Sequence, residues 1–153
     1  MQIHASCAAR RGAGVLLLGP PGSGKSELVL RLLDHGFLLV ADDRVEVADG
    51  HAWAPPALAG LLEVRGLGII RLTHLDRARL ALAVQLGGAV PRLPAPARHA
   101  ATGLPLLAVD AARPAAAQVV GLALDCVLGI AQPLSGAFGA DDAPGAFAAE
   151  EQR

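Results

Sequence analysis

The stretch Gly19-Pro20-Pro21-Gly22-Ser23-Gly24-Lys25-Ser26 constrains this chain more than any other feature. It follows the continuous apolar run Val15 to Leu18 and precedes a segment where Leu28 and Leu32, then Val29 and Leu33, recur at helical spacing until Gly36. Strand, glycine-rich loop, helix is the context in which a G-x-x-x-x-G-K-[ST] loop holds phosphate. Glycines let successive N–H groups turn inward, and the helix N-terminus adds roughly half a positive charge. The lysine reaches the terminal phosphates and the hydroxyl serves a magnesium ion. Gly19, Gly22, Ser23, Gly24, Lys25 and Ser26 are the expected nucleotide-binding residues, with Ser26 also a metal ligand. Pro20 and Pro21 bring no N–H, so the amide cradle starts at Gly22. Lys25 is the one lysine among thirteen Lys+Arg residues, placed where a compact ammonium fits and a planar guanidinium does not.

Composition removes several alternatives. Thirteen basic against fourteen acidic residues give a formal charge of -1, too little positive field to hold a nucleic-acid backbone. With 53% hydrophobic and 18% charged residues the chain has the opposite balance to a disordered one. A length of 153 residues allows one compact unit, here expected over residues 1–135, with an Ala/Gly/acidic stretch at 136–153 expected to be flexible. Cys7 and Cys126 stand outside any CxxC or Cys/His cluster and read as reduced core thiols. The N-terminus shows no secretory pattern, and the apolar stretch Ala115 to Ala140 is interrupted by Gln118, Asp125, Gln132 and Pro133, so no membrane partner is expected and the cytoplasm is the expected location.

Along the chain, Ile3 to Ala9 and Val15 to Leu18 read as two strands joined by a tight turn, with His4 inside the first. Phe37 to Ala41 reads as a buried central strand ending at Asp42-Asp43. Val45 and Val47 begin a hairpin that turns at Asp49-Gly50 and returns through His51 to Trp53. Leu61 to Arg71, punctuated by Gly66 and Gly68, fits a site loop better than a regular element. Leu80 to Leu86 and Leu104 to Val109 are strand candidates, and a last helix runs from Ala115 to about Ile130.

Asp42 and Asp43 close a strand, and in parallel α/β sheets ligands gather at the strands' carboxyl ends. One carboxylate there can orient magnesium or its water, and the other can accept a proton from an attacking hydroxyl, a contribution of roughly 10² to 10⁴ in rate. A solvated acidic turn, with Asp43 paired to Arg44, is the competing reading. Glu63 beside Arg65 suits metal ligation next to a neutralising arginine, or else a surface ion pair. His4 alone reads as a core histidine and Arg92 as a loop arginine, while His35, His51, His74 and His99 lack ligand spacing.

Taken together, His4, the loop Gly19 to Ser26 followed by Glu27, the string Leu39-Val40-Ala41-Asp42-Asp43-Arg44-Val45, and Leu62-Glu63-Val64-Arg65-Gly66-Leu67-Gly68-Ile69-Ile70 closely resemble HPr kinase/phosphorylase in its short form. The resemblance covers about residues 2 to 130. It implies an α/β fold, a P-loop kinase domain of the HPr kinase / PEP carboxykinase-like type with a mixed central sheet and flanking helices. It implies ATP- and Mg²⁺-dependent phosphorylation of a serine on the phosphocarrier HPr, and in the reverse sense phosphorolysis with inorganic phosphate to give pyrophosphate. By resemblance Asp43 is the proton acceptor, His4, Lys25 and Asp42 occupy catalytic positions, Ser26 and Glu63 are magnesium ligands, and Arg92 is the catalytic arginine of the middle loop. The family assembles as hexamers, which implies a homo-oligomer here. Its basic dephosphorylation loop corresponds to Val109-Asp110-Ala111-Ala112-Arg113-Pro114, which retains one arginine. A P-loop small-molecule kinase and a non-catalytic nucleotide sensor are the alternatives to a protein kinase.

Overall fold

The structure, a computed structural model, describes residues 1–139. Its strands are β1 (Gln2–Ile3), β2 (Ala5–Arg10), β3 (Ala13–Leu18), β4 (Leu38–Ala41), β5 (Val45–Ala48), β6 (His51–Trp53), β7 (Leu61–Val64), β8 (Gly68–Arg71), β9 (Ala78–Gln85) and β10 (Leu106–Ala108). Two α-helices, α1 (Lys25–Leu33) and α2 (Ala116–Val127), and a single 3₁₀ turn at Pro56–Leu58 complete it. The main sheet runs β1-β5-β6-β9-β3-β2-β4, with β10 also paired to β9, and β7-β8 form a separate ribbon. The fold is thus mixed α/β with a mixed central sheet.

Direction within that sheet is what places the site. β3, β9 and β10 are parallel, while β2 is antiparallel to both β3 and β4. β4 therefore points the same way as β3 with β2 between them. The carboxyl ends of β3, β4, β9 and β10 all open on one end of the sheet, so the loops starting at Gly19, Asp42, Leu86 and Val109 meet there. The expected central position of Phe37 to Ala41 is corrected. β4 ends the strand order, and its outer edge is covered by a bridge from Leu39 to His74 and by the Leu75 N–H donating to Leu39 O at 2.9 Å. Burial, not centrality, makes this segment apolar.

Both helices lie on one face of the sheet. Leu28, Val29 and Leu32 of α1 and Ala116, Ala117, Val120 and Leu124 of α2 share a core with Val15, Leu17, Leu82 and Val84. The opposite face packs Cys7, Leu16, Val40, Val45, Val47 and Leu80 without any helix, so the helices do not flank the sheet on both sides. Arg10 ties the helical layer to β2, pairing with Asp125 at 2.8 Å, donating to Gly121 O at 2.8 Å and lying 4.8 Å over the Phe37 ring. Leu82 is fully buried on the strand that β3 and β10 border. Leu82→Ala is expected to cost about 2–5 kcal/mol in unfolding free energy, read by urea denaturation.

The Asp49-Gly50 hairpin forms as read, with φ of +52° and +74° at the two turn residues. Leu61 to Arg71 is a regular hairpin rather than a loop. Glu63 pairs with Ile69 and Val64 with Gly68 around an Arg65-Gly66-Leu67 turn, and buried Leu62 anchors it in the helical-face core. At the C-terminal side, Ala137 and Phe138 pack against that same core, and the remainder of the 136–153 expectation lies outside the described residues. Cys7 is fully buried, and desolvation pushes its thiol up to about 12, an unreactive group at neutral pH. Cys126 is only half-buried, so it is not the core thiol expected. Among the described residues no helix is long and apolar enough to cross a membrane.

Candidate functional site

The loop that leaves β3 turns sharply because glycine allows it. Gly24, at φ +95°, caps α1 with no side-chain hydrogen bond, leaving the first N–H groups of the helix free to face an anion. A Cβ on Gly19 would come within 2.5 Å of Ser23 Oγ, so only glycine fits there. Ser23 N–H donates to Pro20 O at 3.1 Å, an internal turn that keeps the loop closed. Ser23 Oγ is buried without a partner, and Lys25 Nζ donates to Gly19 O at 2.7 Å and Pro20 O at 3.1 Å. Among the described residues this ammonium forms no ion pair with a carboxylate.

Asp42 and Asp43 leave β4 and take different places. Asp42 Oδ1 accepts from Ser26 Oγ at 2.7 Å and from Ser6 Oγ at 2.8 Å, and Oδ2 accepts from the Glu63 N–H at 3.4 Å. That one carboxylate joins the phosphate loop, β2 and β7. Asp43 is exposed, with φ +67°, a left-handed conformation that costs a non-glycine residue about 1–3 kcal/mol and is tolerated best by Asp and Asn. Its strain is held by two bonds from β2, Ala5 N–H to Asp43 O and Asp43 N–H to Ser6 Oγ, both 3.2 Å.

A cavity of about 640 Å³ collects these groups, lined by Gly22, Gly24, Lys25 and Ser26 from the loop, by Asp43, and by Glu63, Arg65 and Leu67 from the β7-β8 hairpin. Neither Asp43 with Arg44 nor Glu63 with Arg65 forms an ion pair among the described residues, so the two surface-pair readings fail. His4 is exposed between β1 and β2 rather than within a strand, because Ile3 pairs with Val45 while Ala5 binds Asp43. It is thus tied to the Asp43 segment without lining the cavity. Arg92 faces a separate cavity of about 520 Å³ with Asp110 and Arg113.

That second cavity flanks the phosphate loop. A Cβ on Gly87 would stand 3.1 Å from Pro20 Cδ, and one on Gly24 3.1 Å from Ala111 Cβ. The Arg31 guanidinium of α1 donates to Ala111, Arg113 and Pro114 carbonyls at 2.8, 2.9 and 2.7 Å, pinning that loop to the helix behind the phosphate loop. Ser6 and Arg31 were not legible as site residues, since each sits at an ordinary strand or helix position. A larger cavity of about 910 Å³, lined by Arg98, Cys126, Ile130 and Phe138, has no acidic residue in its described lining and touches no part of the loop.

The residues present fit a triphosphate with magnesium. The unpartnered Ser23 hydroxyl, the glycine positions that refuse a Cβ and the hard oxygen donors of Ser26, Asp42, Asp43 and Glu63 are what phosphate and Mg²⁺ take. Among the described residues no three His, Cys, Asp or Glu side chains form a ready-made metal cage. Magnesium bound with phosphates needs only one or two protein ligands.

Comparison with known proteins bears on the family and the fold. An HPr kinase/phosphorylase of Lacticaseibacillus casei strain BL23 is 49% identical over 69 residues, 42% of this chain and 22% of that protein. HPr kinase/phosphorylase 1 of Oceanobacillus iheyensis is 41% identical over 87 residues, 49% of this chain and 28% of that protein. The chain thus matches less than a third of the length of these relatives. The solved Hpr(Ser) kinase/phosphatase from Coxiella burnetii shares the fold, with a TM-score of 0.67 at 21% identity over 85% of this chain and 92% of that one. The family model for the HPr serine kinase C-terminal domain matches residues 1–79, which span the phosphate loop, the acidic pair and the β7-β8 hairpin. More than half of the chain answers to that model, and the chain belongs to the HPr serine kinase C-terminal domain family.

Proposed function

We propose that this chain is an ATP- and Mg²⁺-dependent kinase that phosphorylates a serine on an HPr-like phosphocarrier protein. The observation that carries this reading is the shared cavity, in which an exposed carboxylate, Asp43, faces the same space as Lys25 and Ser26. A bound Mg²⁺ would neutralise phosphate charge and order the triphosphate, with Ser26 and Glu63 as its protein ligands and Asp42 holding Ser26 in place. Lys25 offsets negative charge on the transferring group by exchanging its two loop carbonyls for phosphate oxygens. Asp43 takes the proton of the seryl hydroxyl as the serine oxygen bonds to the γ-phosphorus of ATP, the bond from that phosphorus to the bridging oxygen breaks, and ADP leaves. An opening edged by a projecting hairpin, with Leu67 and Ile69 each at least 70% exposed, suits a protein better than a small molecule enclosed by a lid.

The roles proposed for His4 and Arg92 are carried over from the resemblance to the family, whose model spans residues 1–79 and so includes His4 but not Arg92. His4 acts beside Asp43 through the neighbouring β1 and β2 pairing, and Arg92 belongs to the flanking loop. In the homo-oligomer that the family forms, a hexamer, these exposed groups face neighbouring copies or the carrier. Incubation with Mg²⁺-ATP and a purified HPr-type carrier tests the reading. Phosphoserine on the carrier, found by peptide mass spectrometry, is the expected result. Label on a sugar or nucleotide would replace the protein substrate with a small one, and nucleotide binding without transfer would make the chain a sensor. Pyrophosphate formed from phosphorylated carrier and inorganic phosphate reads the reverse reaction separately.

A further inference from the structure

Among the described residues Ser6 is the one polar side chain with the fully buried residues of the core, at 0% exposure, on a strand otherwise made of small apolar residues and Arg10. A hydroxyl there is unfavourable unless paired. Both of its bonds go to the acidic pair. Ser6 Oγ donates to Asp42 Oδ1 at 2.8 Å and accepts from the Asp43 N–H at 3.2 Å. The assignment of the proton follows from the partners, since an amide N–H only donates and an ionised carboxylate only accepts. Ala5, its neighbour, donates its N–H to Asp43 O. Two successive residues of β2 thus grip the amide and the carbonyl of a residue held at φ +67°. The Asp42 oxygen that Ser6 binds is also the acceptor of Ser26 Oγ, so one hydroxyl connects the proposed base to the phosphate loop.

We propose that Ser6 is a positioning residue for phosphoryl transfer, holding Asp43 in its left-handed conformation and Asp42 against Ser26 while touching no substrate itself. This role rests on the kinase reading above. Without the hydroxyl, the Asp43 amide has no acceptor, Asp42 loses one of its three donors, and the β4 exit is free to relax toward ordinary backbone angles. Misplacement of a reacting group by about 1 Å can cost on the order of 10²-fold in rate.

The test compares Ser6→Val with Ser6→Thr, two side chains of equal shape that differ in the hydroxyl. Ser6→Val is expected to lower kcat by about 10- to 100-fold with KM for ATP within about 3-fold, and Ser6→Thr to restore most of kcat. In an Asp43→Asn background Ser6→Val is expected to add less than about 2-fold, because its effect passes through that residue. Hydrogen exchange at the Asp43 amide, followed by NMR, is expected to be at least about 10-fold faster in the Val variant than in the Thr variant. Ser6→Ala, which adds no atoms, must reproduce the Val result in both exchange and kcat, so a Thr variant that fails to fold does not spare the proposal. Equal kcat and equal amide protection with and without the hydroxyl would overturn it, as would an undiminished Ser6→Val loss on top of Asp43→Asn. A parent chain that phosphorylates no carrier would refute the kinase reading, and the exchange comparison would still decide whether Ser6 clamps Asp43.

Discussion

Asp43→Asn is expected to lower phosphoryl transfer by about 10²- to 10⁴-fold while ATP affinity stays within about 3-fold of the parent. The amide is the same size as the carboxylate and can keep the left-handed backbone, which Asn tolerates as well as Asp. It lacks the basic oxygen to which the proposed mechanism gives the seryl proton. Neither bond that holds residue 43 uses its side chain, since Ala5 and Ser6 grip only its backbone. The substitution therefore removes the chemistry and leaves the scaffold. Carrier phosphorylation under single-turnover conditions reads the first quantity and titration of a fluorescent ATP analogue the second. Full turnover by this variant would refute the role given to Asp43.

Lys25→Met is expected to have the other large effect, lowering kcat/KM for ATP by about 10²- to 10³-fold, the scale for removing one preorganised charge donor at a developing anion. Lys25 Nζ leans on the Gly19 and Pro20 carbonyls, and its side chain lines the cavity with Gly22, Gly24 and Ser26. The methionine keeps the stem and deletes the charge, so loss of nucleotide affinity with unchanged melting temperature isolates the ammonium. Lys25→Arg is expected to fail nearly as badly. A planar guanidinium is bulkier than the compact ammonium that rests on the Gly19 and Pro20 carbonyls. Initial-rate kinetics at varied ATP measures both.

The phosphate loop was fully legible in the sequence because its chemistry is local. Eight consecutive residues between a β-type and a helical pattern fix the turn and the start of the helix. The Asp49-Gly50 hairpin was legible for the same reason. What depends on pairing across the chain was not. β4 reads as a central strand because both of its faces are buried, yet the Leu39–His74 bridge that covers its edge joins residues that share no local pattern. The hairpin Leu61–Arg71 was hidden because Gly66 in its turn and Gly68 just after it look like loop residues, and the partnership of Leu62 with the helical core anchors it. His4 was read inside a strand because apolar neighbours surround it, whereas the strand breaks there to let Ala5 reach Asp43.

The candidate site divides along the same line. Asp43, Glu63, Lys25 and Ser26 meet in one cavity because β3 and β4 run in the same direction with β2 between them, an outcome the carboxyl-end rule anticipated for a simpler, all-parallel sheet. Arg92 stands in a separate cavity, 66 residues beyond Ser26 in sequence, where no local signal reports its position. Ser6 and Arg31 escaped because hydrogen bonds to a carboxylate or to three carbonyls far along the chain leave no trace in residue spacing.

The central claim is that nucleotide occupies the cavity shared by the phosphate loop and Asp43. Amide NMR of the isotope-labelled chain titrated with Mg²⁺-ATP tests it directly. The largest shifts are expected at residues 22–27, at Asp43 and along residues 63–69, which line that space. Shifts gathered instead around Arg98, Cys126 and Ile130, at the larger cavity, would contradict the account.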